Sequence, residues 1–379
     1  MKQIRPTATD RRKKTRNDIY RFIYNAPSSV TKQDVARELN LSLPTVYQNL
    51  SELEEAGLIH AAEMQKPSGG RPPVGYEVTA DTHYAIGVSL SATEISIVAM
   101  DMKRNEVAAA SEKIKDLEET ALLAQMSDVI TRFGANNRID QTKLLGIGIT
   151  VPGVLDPELS TIILSPTMRL KELPVTRMQE RFSCPVSIEN DSTCAGIAEY
   201  SALSAECPDK NFVYLHLEYG VGGAVFFGGT PWYGENHRSA EFGHMCIVPD
   251  GLPCNCGKKG CLEAYIGAFR FSRDLGIPVE TFFREMKAGN TVYQDLWNDG
   301  IDHLAIAVSN LRCAFDCDVV LGGFMAKEIS ASAERLKNRL KELDIFRDDP
   351  SWLRIGQYPQ KAGVYGAAWR WIEQFMIEI

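Results

Sequence analysis

The feature that most constrains the fold is a cluster of metal-binding side chains between residues 244 and 261. His244 precedes Cys254, Cys256 and Cys261 in the segment EFGHMCIVPDGLPCNCGKKGCLEAY. One imidazole and three thiolates fill the four positions around a tetrahedral zinc ion and leave none for a catalytic water. The spacing therefore predicts a closed, structural zinc site, with free buried thiols as the alternative. Cys246, two residues beyond His244 on a predicted strand, is not expected to be a ligand.

The distribution of cysteine and charge indicates an intracellular protein that touches nucleic acid at one end. Four of the nine cysteines lie within sixteen residues, and the N-terminus has no apolar signal segment. This pattern favours reduced thiols and a cytoplasmic location, and no apolar run is long enough to span a membrane. The net charge is −8, but residues 1–76 carry +4 and the remainder −12. A basic head on an acidic body is typical of a protein that contacts DNA phosphates through its head.

Residues 15–78 predict a winged helix-turn-helix. Ile19, Phe22 and Ile23 share one face of a first helix, which ends at NAPSS (25–29). Thr31 and Asp34 form a capping-box pattern for a second helix, and Asn40 is suited to the left-handed turn that ends it. Ser42 is the predicted N-cap of a third helix, whose buried side carries Val46, Leu50 and Leu53. Two short strands around a Gly/Pro-rich tip follow and form the wing.

In such a head the third helix enters the major groove of DNA. Its outer face is predicted to carry Thr45, Tyr47, Gln48 and Asn49, with Gln48 and Asn49 as base readers. Thr45 and Tyr47 would contact phosphates or thymine methyl groups. Arg71 in the wing tip SGGRPP (68–73) suits a narrow minor groove. A winged helix that binds protein is the alternative.

From about Tyr84 the pattern changes to α/β. AIGVSLSATEISIVAMDM (85–102) and FVYLHLEYGVGGAVFFGG (212–229) each predict a strand, a tight turn and a second strand. This repeat, once per lobe, is typical of an actin-like fold. Strands are also expected at LLGIGIT (144–150) and PVSIEN (185–190), and GVYGAAWRWIEQFM (363–376) predicts a helix packed onto the first lobe.

The motifs resemble those of the ROK family (repressors, open reading frames, kinases). ExGH followed by CxCGxxGCLE is its signature, found here at Glu241–His244 and Cys254–Glu263. The likeness extends to GIGITVPGVLD (146–156), ENDSTCAGIAE (189–199), LGG (321–323) and the winged head, and favours regulators of the xylose-repressor and N-acetylglucosamine-repressor type. It implies a two-lobed, actin-like (RNase H-like, sugar-kinase) ATPase fold after the head. The implied domains are 1–78, 79–190 completed by 361–379, and 191–360.

The resemblance also implies a sugar pocket. The matching positions are Asn190, Asp191, Glu241, His244 and Glu263, with the zinc ion ordering the loop that carries the last two. Two departures are Thr167 in SPTM (165–168), where many family kinases have Asn, and HRSA (237–240), where a glycine-containing segment is usual. Arg238 in this segment would meet an acidic group on the ligand or lie on the surface. The effector is therefore not necessarily plain glucose.

The phosphate loops differ from those of family kinases. The DxGGT-like loop has become Ser89–Thr93, with Ser89 in place of the acid and Ser91 and Ala92 in place of glycines. The glycine-rich second loop begins Glu218-Tyr219, which should repel ATP phosphates. Asp191 matches the family's catalytic base and is interpreted as vestigial, so no catalytic residue is expected.

These observations predict a sugar-responsive transcription repressor that is not an enzyme. We expect a homodimer or tetramer on operator DNA, with a monosaccharide or a sugar derivative as effector, and no membrane partner. Sugar in the cleft would close the lobes, change the spacing of the heads and lower operator affinity. The alternatives are an ATP-dependent sugar kinase with an accessory head, and a dimerisation scaffold with a vestigial pocket.

Overall fold

The computed structural model describes residues 7–63, 74–204 and 210–379. The chain divides into two compact units. The first consists of Met1–Ile149, Val175–Ser187 and Ala367–Ile379, and the second of Thr150–Pro174 and Ile188–Gly366. The winged head and most of the C-terminal helix therefore belong to the first unit.

The head has three helices and a small antiparallel sheet. Its elements are α1 (Ala8–Asn25), β1 (Val30–Thr31), α2 (Lys32–Glu38), α3 (Leu43–Glu55), β2 (Ile59–Glu63) and β3 (Val74–Val78). The strands lie in the order β1-β3-β2, and Ile59 pairs with Val78 where the wing leaves the helices. The predicted wing tip, SGGRPP, lies outside the described residues.

Local sequence signals place the helix ends of the head as predicted. Thr31 and Asp34 make both hydrogen bonds of a capping box at α2. Ser42 Oγ accepts from the Thr45 backbone N–H at the start of α3. Asn40 has φ +51°, the left-handed conformation expected after α2. These predictions are confirmed because each depends on residues only three or four positions apart.

The rest of the chain alternates strands and helices, as expected. In chain order the elements are β4 (Tyr84–Leu90), β5 (Glu94–Asp101), β6 (Glu106–Lys113), α4 (Glu119–Asn136), β7 (Leu144–Val151), β8 (Val154–Leu155), β9 (Thr161–Ser165), β10 (Leu170–Pro174), α5 (Thr176–Gln179), β11 (Val186–Asn190), α6 (Asp191–Ser204), β12 (Phe212–Leu217), β13 (Val221–Phe227), β14 (Thr230–Pro231), α7 (Glu263–Ile266), α8 (Val279–Lys287), α9 (Thr291–Phe315), β15 (Asp318–Gly322), α10 (Ala326–Ala331), α11 (Ala333–Leu343), β16 (Leu353–Ile355) and α12 (Ala362–Glu378).

The main sheet of the first unit has the order β11-β7-β4-β5-β6, and the predicted hairpin is β4 and β5. The C-terminal helix α12 packs against β7 in this unit. A Cβ added at Gly148 would lie 2.1 Å from the backbone oxygen of Ala367, and one at Gly146 would lie 2.5 Å from the Trp371 ring. Helix and strand approach this closely because both positions lack side chains.

The second unit repeats the design with a sheet of order β14-β13-β12-β15-β16, in which β12 and β13 form the second predicted hairpin. Its core lies between this sheet and helices α8, α9 and α11. A smaller sheet has the order β10-β9-β8. Gly222 on β13 allows α6 to approach, since a Cβ there would lie 2.1 Å from Ser192 Oγ. This contact holds the start of α6, and with it Asp191, against the sheet.

Within the described part of the chain, none of the helices has the length and apolar character required to cross a lipid bilayer.

Candidate functional sites

The predicted metal ligands converge in the second unit. One ligand atom each from His244, Cys254, Cys256 and Cys261 lies within 4.8 Å of every other. The Cys256 and Cys261 sulfurs are 3.7 Å apart, and Cys254 Sγ lies 3.7 Å from His244 Nδ1. Thiolates about 2.3 Å from a tetrahedral zinc ion lie about 3.8 Å from each other, so the cluster fits such an ion and is too open for a disulfide.

Backbone turns hold the ligands in place. The Cys254 N–H donates to Lys258 O at 2.8 Å, which closes the turn that carries Cys256. Gly260 has φ +78°, and a Cβ there would lie 1.8 Å from Val248 O, so only glycine fits before Cys261. Cys246 pairs with Cys261 across an antiparallel bridge and is outside the ligand set, in agreement with the sequence analysis.

The thiol pKa values in the cluster are shifted in different directions. Burial, then the neighbouring Cys256 and Cys254 thiols, raises the pKa of Cys261 to about 12. Burial also raises the pKa of Cys254. At Cys256 the effect of burial is outweighed by hydrogen bonds with the Lys258 backbone and the other two thiols, so the pKa of this thiol is lowered. A bound divalent cation would favour the thiolate form of all three cysteines, and the donor set suits such a metal.

The predicted pocket carboxylates lie near one another and near His244. Desolvation raises the pKa of Glu241; the charges of Asp191 and Glu263 raise it further, and His244 lowers it. Glu263 is held from two sides: its Oε2 accepts from the Val221 N–H at 3.0 Å, and its Oε1 lies 3.9 Å from Cys254 Sγ. The arrangement offers carboxylate acceptors to a polyhydroxylated ligand, and one wall belongs to the metal cluster.

Asn190 stabilises the start of α6, in addition to any role as a pocket residue. Its Oδ1 accepts from the Ser192 and Thr193 N–H groups, so it caps α6, and its Nδ2 donates to Gly153 O at 3.0 Å. One amide hydrogen remains for a ligand. Asp191 Oδ1 accepts from the Ser192 N–H, and desolvation raises the pKa of its carboxyl, which the charge of His216 opposes.

The sequence analysis missed an arrangement beside Asn190. Glu189 is 2% exposed, and its Oε2 accepts from Tyr233 Oη at 2.6 Å. Tyr233 in turn stacks on His237, with ring centroids 4.6 Å apart. A charged residue within the alternating strand PVSIEN was the available signal, because a buried carboxylate requires a partner. Arg238 and Thr167, the two departures, are both exposed.

In the second glycine loop, Glu218 does not face the phosphate position as the sequence analysis had interpreted it. The Glu218 Oε1 atom accepts from the Phe324 N–H at 2.9 Å, and His216 Nε2 lies 3.9 Å from the same oxygen, so the carboxylate turns inward. Tyr219 packs on Phe269 and Phe324, with ring centroids 5.3 and 5.4 Å away. The first loop is a tight turn in which Ser91 Oγ accepts from the Thr93 and Glu94 N–H groups.

The outer face of α3 differs from the prediction at one residue. Tyr47 and Gln48 are exposed, whereas Asn49 is 4% exposed and donates to Thr45 O at 2.8 Å. Placing Asn49 on the outer face was wrong, because its neighbour Leu50 and the i−3 residue Val46 define an inner face wide enough to include it. Thr45 shares a 2.8 Å hydrogen bond with Ser42 at the cap, and Arg71 lies outside the described residues.

Comparison with known proteins agrees with both parts of the chain. The sequence profile of the ROK family matches residues 85–374, and that of winged helix-turn-helix DNA-binding domains matches residues 12–60. The xylose repressor of Bacillus spizizenii is 28% identical over 245 residues, which cover 64% of this chain and 63% of the relative. The transcriptional dual regulator NagC of Escherichia coli is 26% identical over 247 residues, which cover 65% of this chain and 60% of the relative.

Solved structures extend the likeness to the fold. A ROK family transcriptional regulator described as a homologue of E. coli MLC has a TM-score of 0.80 at 21% identity and covers 97% of both chains. The ROK hexokinase of Thermus thermophilus has a TM-score of 0.63 at 26% identity, over 75% of this chain and 96% of its own. The fold is thus a winged helix-turn-helix followed by the sugar-kinase-like α/β body, as predicted, and the chain belongs to the ROK family.

Proposed function

We propose that this chain is a sugar-responsive, DNA-binding transcription repressor that has lost kinase activity. One observation carries the proposal: the chain joins a winged helix-turn-helix head to a body that keeps clustered sugar-type acceptors but has altered phosphate loops. The solved ROK family transcriptional regulator has a fold that matches 97% of both chains, head and body included. Operator DNA, a carbohydrate effector and a second copy of the chain are the proposed partners, and the proposed place of action is the cytoplasm.

The proposed effector ligands are Asp191, Glu241, His244 and Glu263, with the remaining amide hydrogen of Asn190. Carboxylates and an imidazole provide the acceptors and donors that sugar hydroxyls require. The proposed DNA contacts are Tyr47, Gln48 and Arg71, with Thr45 near the phosphates. Domain boundaries at 78, 190 and 360, with 361–379 completing the first lobe, remain part of this prediction.

Zinc is the proposed metal, held by His244, Cys254, Cys256 and Cys261. When bound, it neutralises the thiolates and joins the His244 turn to the Cys254–Cys261 loop. The chain's own part is to orient the pocket: Lys258 Nζ donates to His244 O at 2.9 Å, and the Val221 N–H holds Glu263. Four protein ligands leave no position for a catalytic water, so the proposed role is structural.

Loss of kinase activity is proposed from the loops. Phosphoryl transfer requires close backbone approach to phosphate and a carboxylate-held magnesium ion. Ser91 and Ala92 bring side chains to the first turn, and Ser89 removes the acid. The likeness to a ROK hexokinase and the presence of Asp191 favour the alternative, a sugar kinase. An ATP-binding measurement separates the two functions, since a kinase must bind ATP and the repressor should not.

The experiment that tests the function begins with duplexes selected by the purified full chain from a random pool. Mono- and disaccharides, including amino and phosphorylated sugars, are then titrated one by one against the tightest protein–DNA complex. We expect one sugar class to weaken DNA binding, and DNA to weaken sugar binding by the same factor. Glu241→Gln should abolish the response and preserve DNA affinity, whereas Glu235→Gln, at an exposed position, should change neither. No effect of any sugar would contradict the proposal.

A further inference from the structure

The exposed face of α3 is mainly apolar at its N-terminal end. The Leu43 and Tyr47 side chains are 48% and 62% exposed, and Pro44 is also exposed. Positions 43 and 47 are one turn apart, and position 44 lies beside them, so the three side chains form one patch. A contiguous apolar patch on the outward face of a helix is a candidate contact surface.

Several polar groups near this patch already have protein partners. The Thr45 hydroxyl bonds with Ser42 Oγ, and Asn49 points into the head. Gln48 Nε2 donates to Glu52 Oε1 at 3.3 Å, and Arg12 and Arg16 pair with the same carboxylate. Gln48 must therefore compete with Glu52 for any hydrogen bond to a base, and Thr45 and Asn49 already have partners within the head.

The thymine 5-methyl group is the apolar group that a base pair presents in the major groove. We propose that Leu43, Pro44 and Tyr47 form a specificity-determining surface that packs on thymine methyl groups in the operator half-sites. The inference rests on the proposed repressor function and adds the chemistry by which the head selects its sequence. It predicts half-sites in which thymines on one strand face the first two turns of α3.

The charge of the head favours DNA over a protein partner. Arg11, Lys13 and Lys14 of α1 are exposed and make no ion pair with any residue in the described ranges. The first 76 residues carry a net charge of +4 on a chain of −8. A head with a net positive charge suits a duplex, because phosphates flank the groove that the patch would enter.

The test combines changes in the DNA with changes in the protein. The purified full chain selects its preferred duplex from a random pool, and each thymine is then replaced singly by deoxyuridine, which lacks only the methyl group. We expect about fourfold weaker binding for each methyl group that the patch contacts. In Leu43→Ala or Tyr47→Ala the same replacement should have no effect, because the methyl group has lost its contact.

Two variants serve as controls. Tyr47→Phe keeps the apolar ring and should retain the deoxyuridine effect. Ile345→Ala removes a side chain that is 83% exposed outside the head and should bind every duplex as the unmodified chain does. Circular dichroism of each variant shows whether the head is folded.

Three results would overturn the inference. The first is equal binding of the thymine duplex and its fully deoxyuridine-substituted form, and the second is an equal loss of affinity on deoxyuridine substitution in the unmodified chain and in both alanine variants. The third is that the alanine variants bind DNA normally but fail to assemble. The last result would assign the patch to a protein contact. A chain that enriches no duplex at all would instead contradict the proposed repressor function, so the two failures are distinguishable.

Discussion

The Arg104 guanidinium lies 5.0 Å from the centre of the Tyr24 ring, so the turn between β5 and β6 contacts the first helix of the head. The same guanidinium lies 5.3 Å from the Trp369 ring and pairs with Glu373, both on α12. We call these four residues the Arg104 junction. Lys103, beside it, pairs with Glu77 of the wing strand at 2.9 Å. Arg104 is thus one of the links between the head and the C-terminal helix, beside the hydrogen bond from Asn17 Nδ2 to Ile377 O.

The Arg104 junction should make a measurable contribution to the docking of α1. Cation–π contacts contribute about 0.5–2 kcal/mol, depending on how far water is excluded, and the Arg104 side chain is only 15% exposed. We expect Arg104→Met to lower the free energy of unfolding by about 1–2 kcal/mol and to speed hydrogen exchange in α1 and α12. Arg339→Met removes an exposed pair with Glu342 and should change stability by less than about 0.5 kcal/mol. Equal effects of the two variants would show that the junction has no special role.

Removal of one cysteine should abolish metal binding. We expect Cys256→Ser to reduce the zinc content from one ion per chain to none. The variant keeps one imidazole and two thiolates, and these three ligands bind zinc much more weakly than the full set of four. The melting temperature and the affinity for the effector should both fall, since Glu263 and His244 belong to the same loops. Cys246→Ser is the matched control and should keep its zinc. Metal analysis and calorimetry measure both quantities, and retention of zinc by Cys256→Ser would contradict the assignment.

The cap of α6 should matter for stability independently of sugar. Asn190→Ala removes the acceptor of the Ser192 and Thr193 N–H groups, a change that typically costs about 1 kcal/mol of folding free energy. We expect a lower midpoint of urea unfolding with no ligand present. Asn190→Asp keeps the acceptor, so it should recover part of the loss. If both variants were as stable as the unmodified chain, the capping role would be wrong.

Glu218 should make stability depend on pH. Burial raises the pKa of its carboxyl, which the charge of His216 opposes, and Asp191 adds a further increase. A carboxyl whose pKa is raised on folding favours the folded state below its ordinary pKa of 4.5, and this contribution is lost as pH rises through the raised value. Glu218→Gln keeps an oxygen for the Phe324 N–H but cannot ionise. We therefore expect the variant to melt above the unmodified chain at pH 7.

The difference between the two melting temperatures should shrink as pH falls toward 4.5. Acid releases zinc from both proteins. Because the two proteins are compared at the same pH, the effect of this release on the melting temperature cancels in the difference. A difference that stays constant from pH 4.5 to pH 7 would show that the Glu218 carboxyl does not titrate with folding.

Patterns within short stretches of sequence were sufficient to predict many of the helices, strands and metal ligands of this protein. The helix ends at Thr31 and Ser42 follow from capping between residues three apart, and the two hairpins follow from alternating apolar residues around tight turns. The four metal ligands could be selected because spacing and ligand chemistry together specify a tetrahedral set. The family resemblance added the pocket residues, which spacing alone could not have united across more than 70 residues.

Contacts between distant parts of the chain were decided by the tertiary structure. Asn49 turned inward because the packing of three helices sets how wide the buried face is, and periodicity gives only its centre. Glu218 turned toward the Phe324 N–H, 106 residues away, since an unpaired backbone donor there attracts a carboxylate. Arg104 and Glu373 are 269 residues apart, and no local pattern marks them as partners. Sequence specifies what neighbours along the chain can do, whereas a long-range pair exists only once packing has brought its members together.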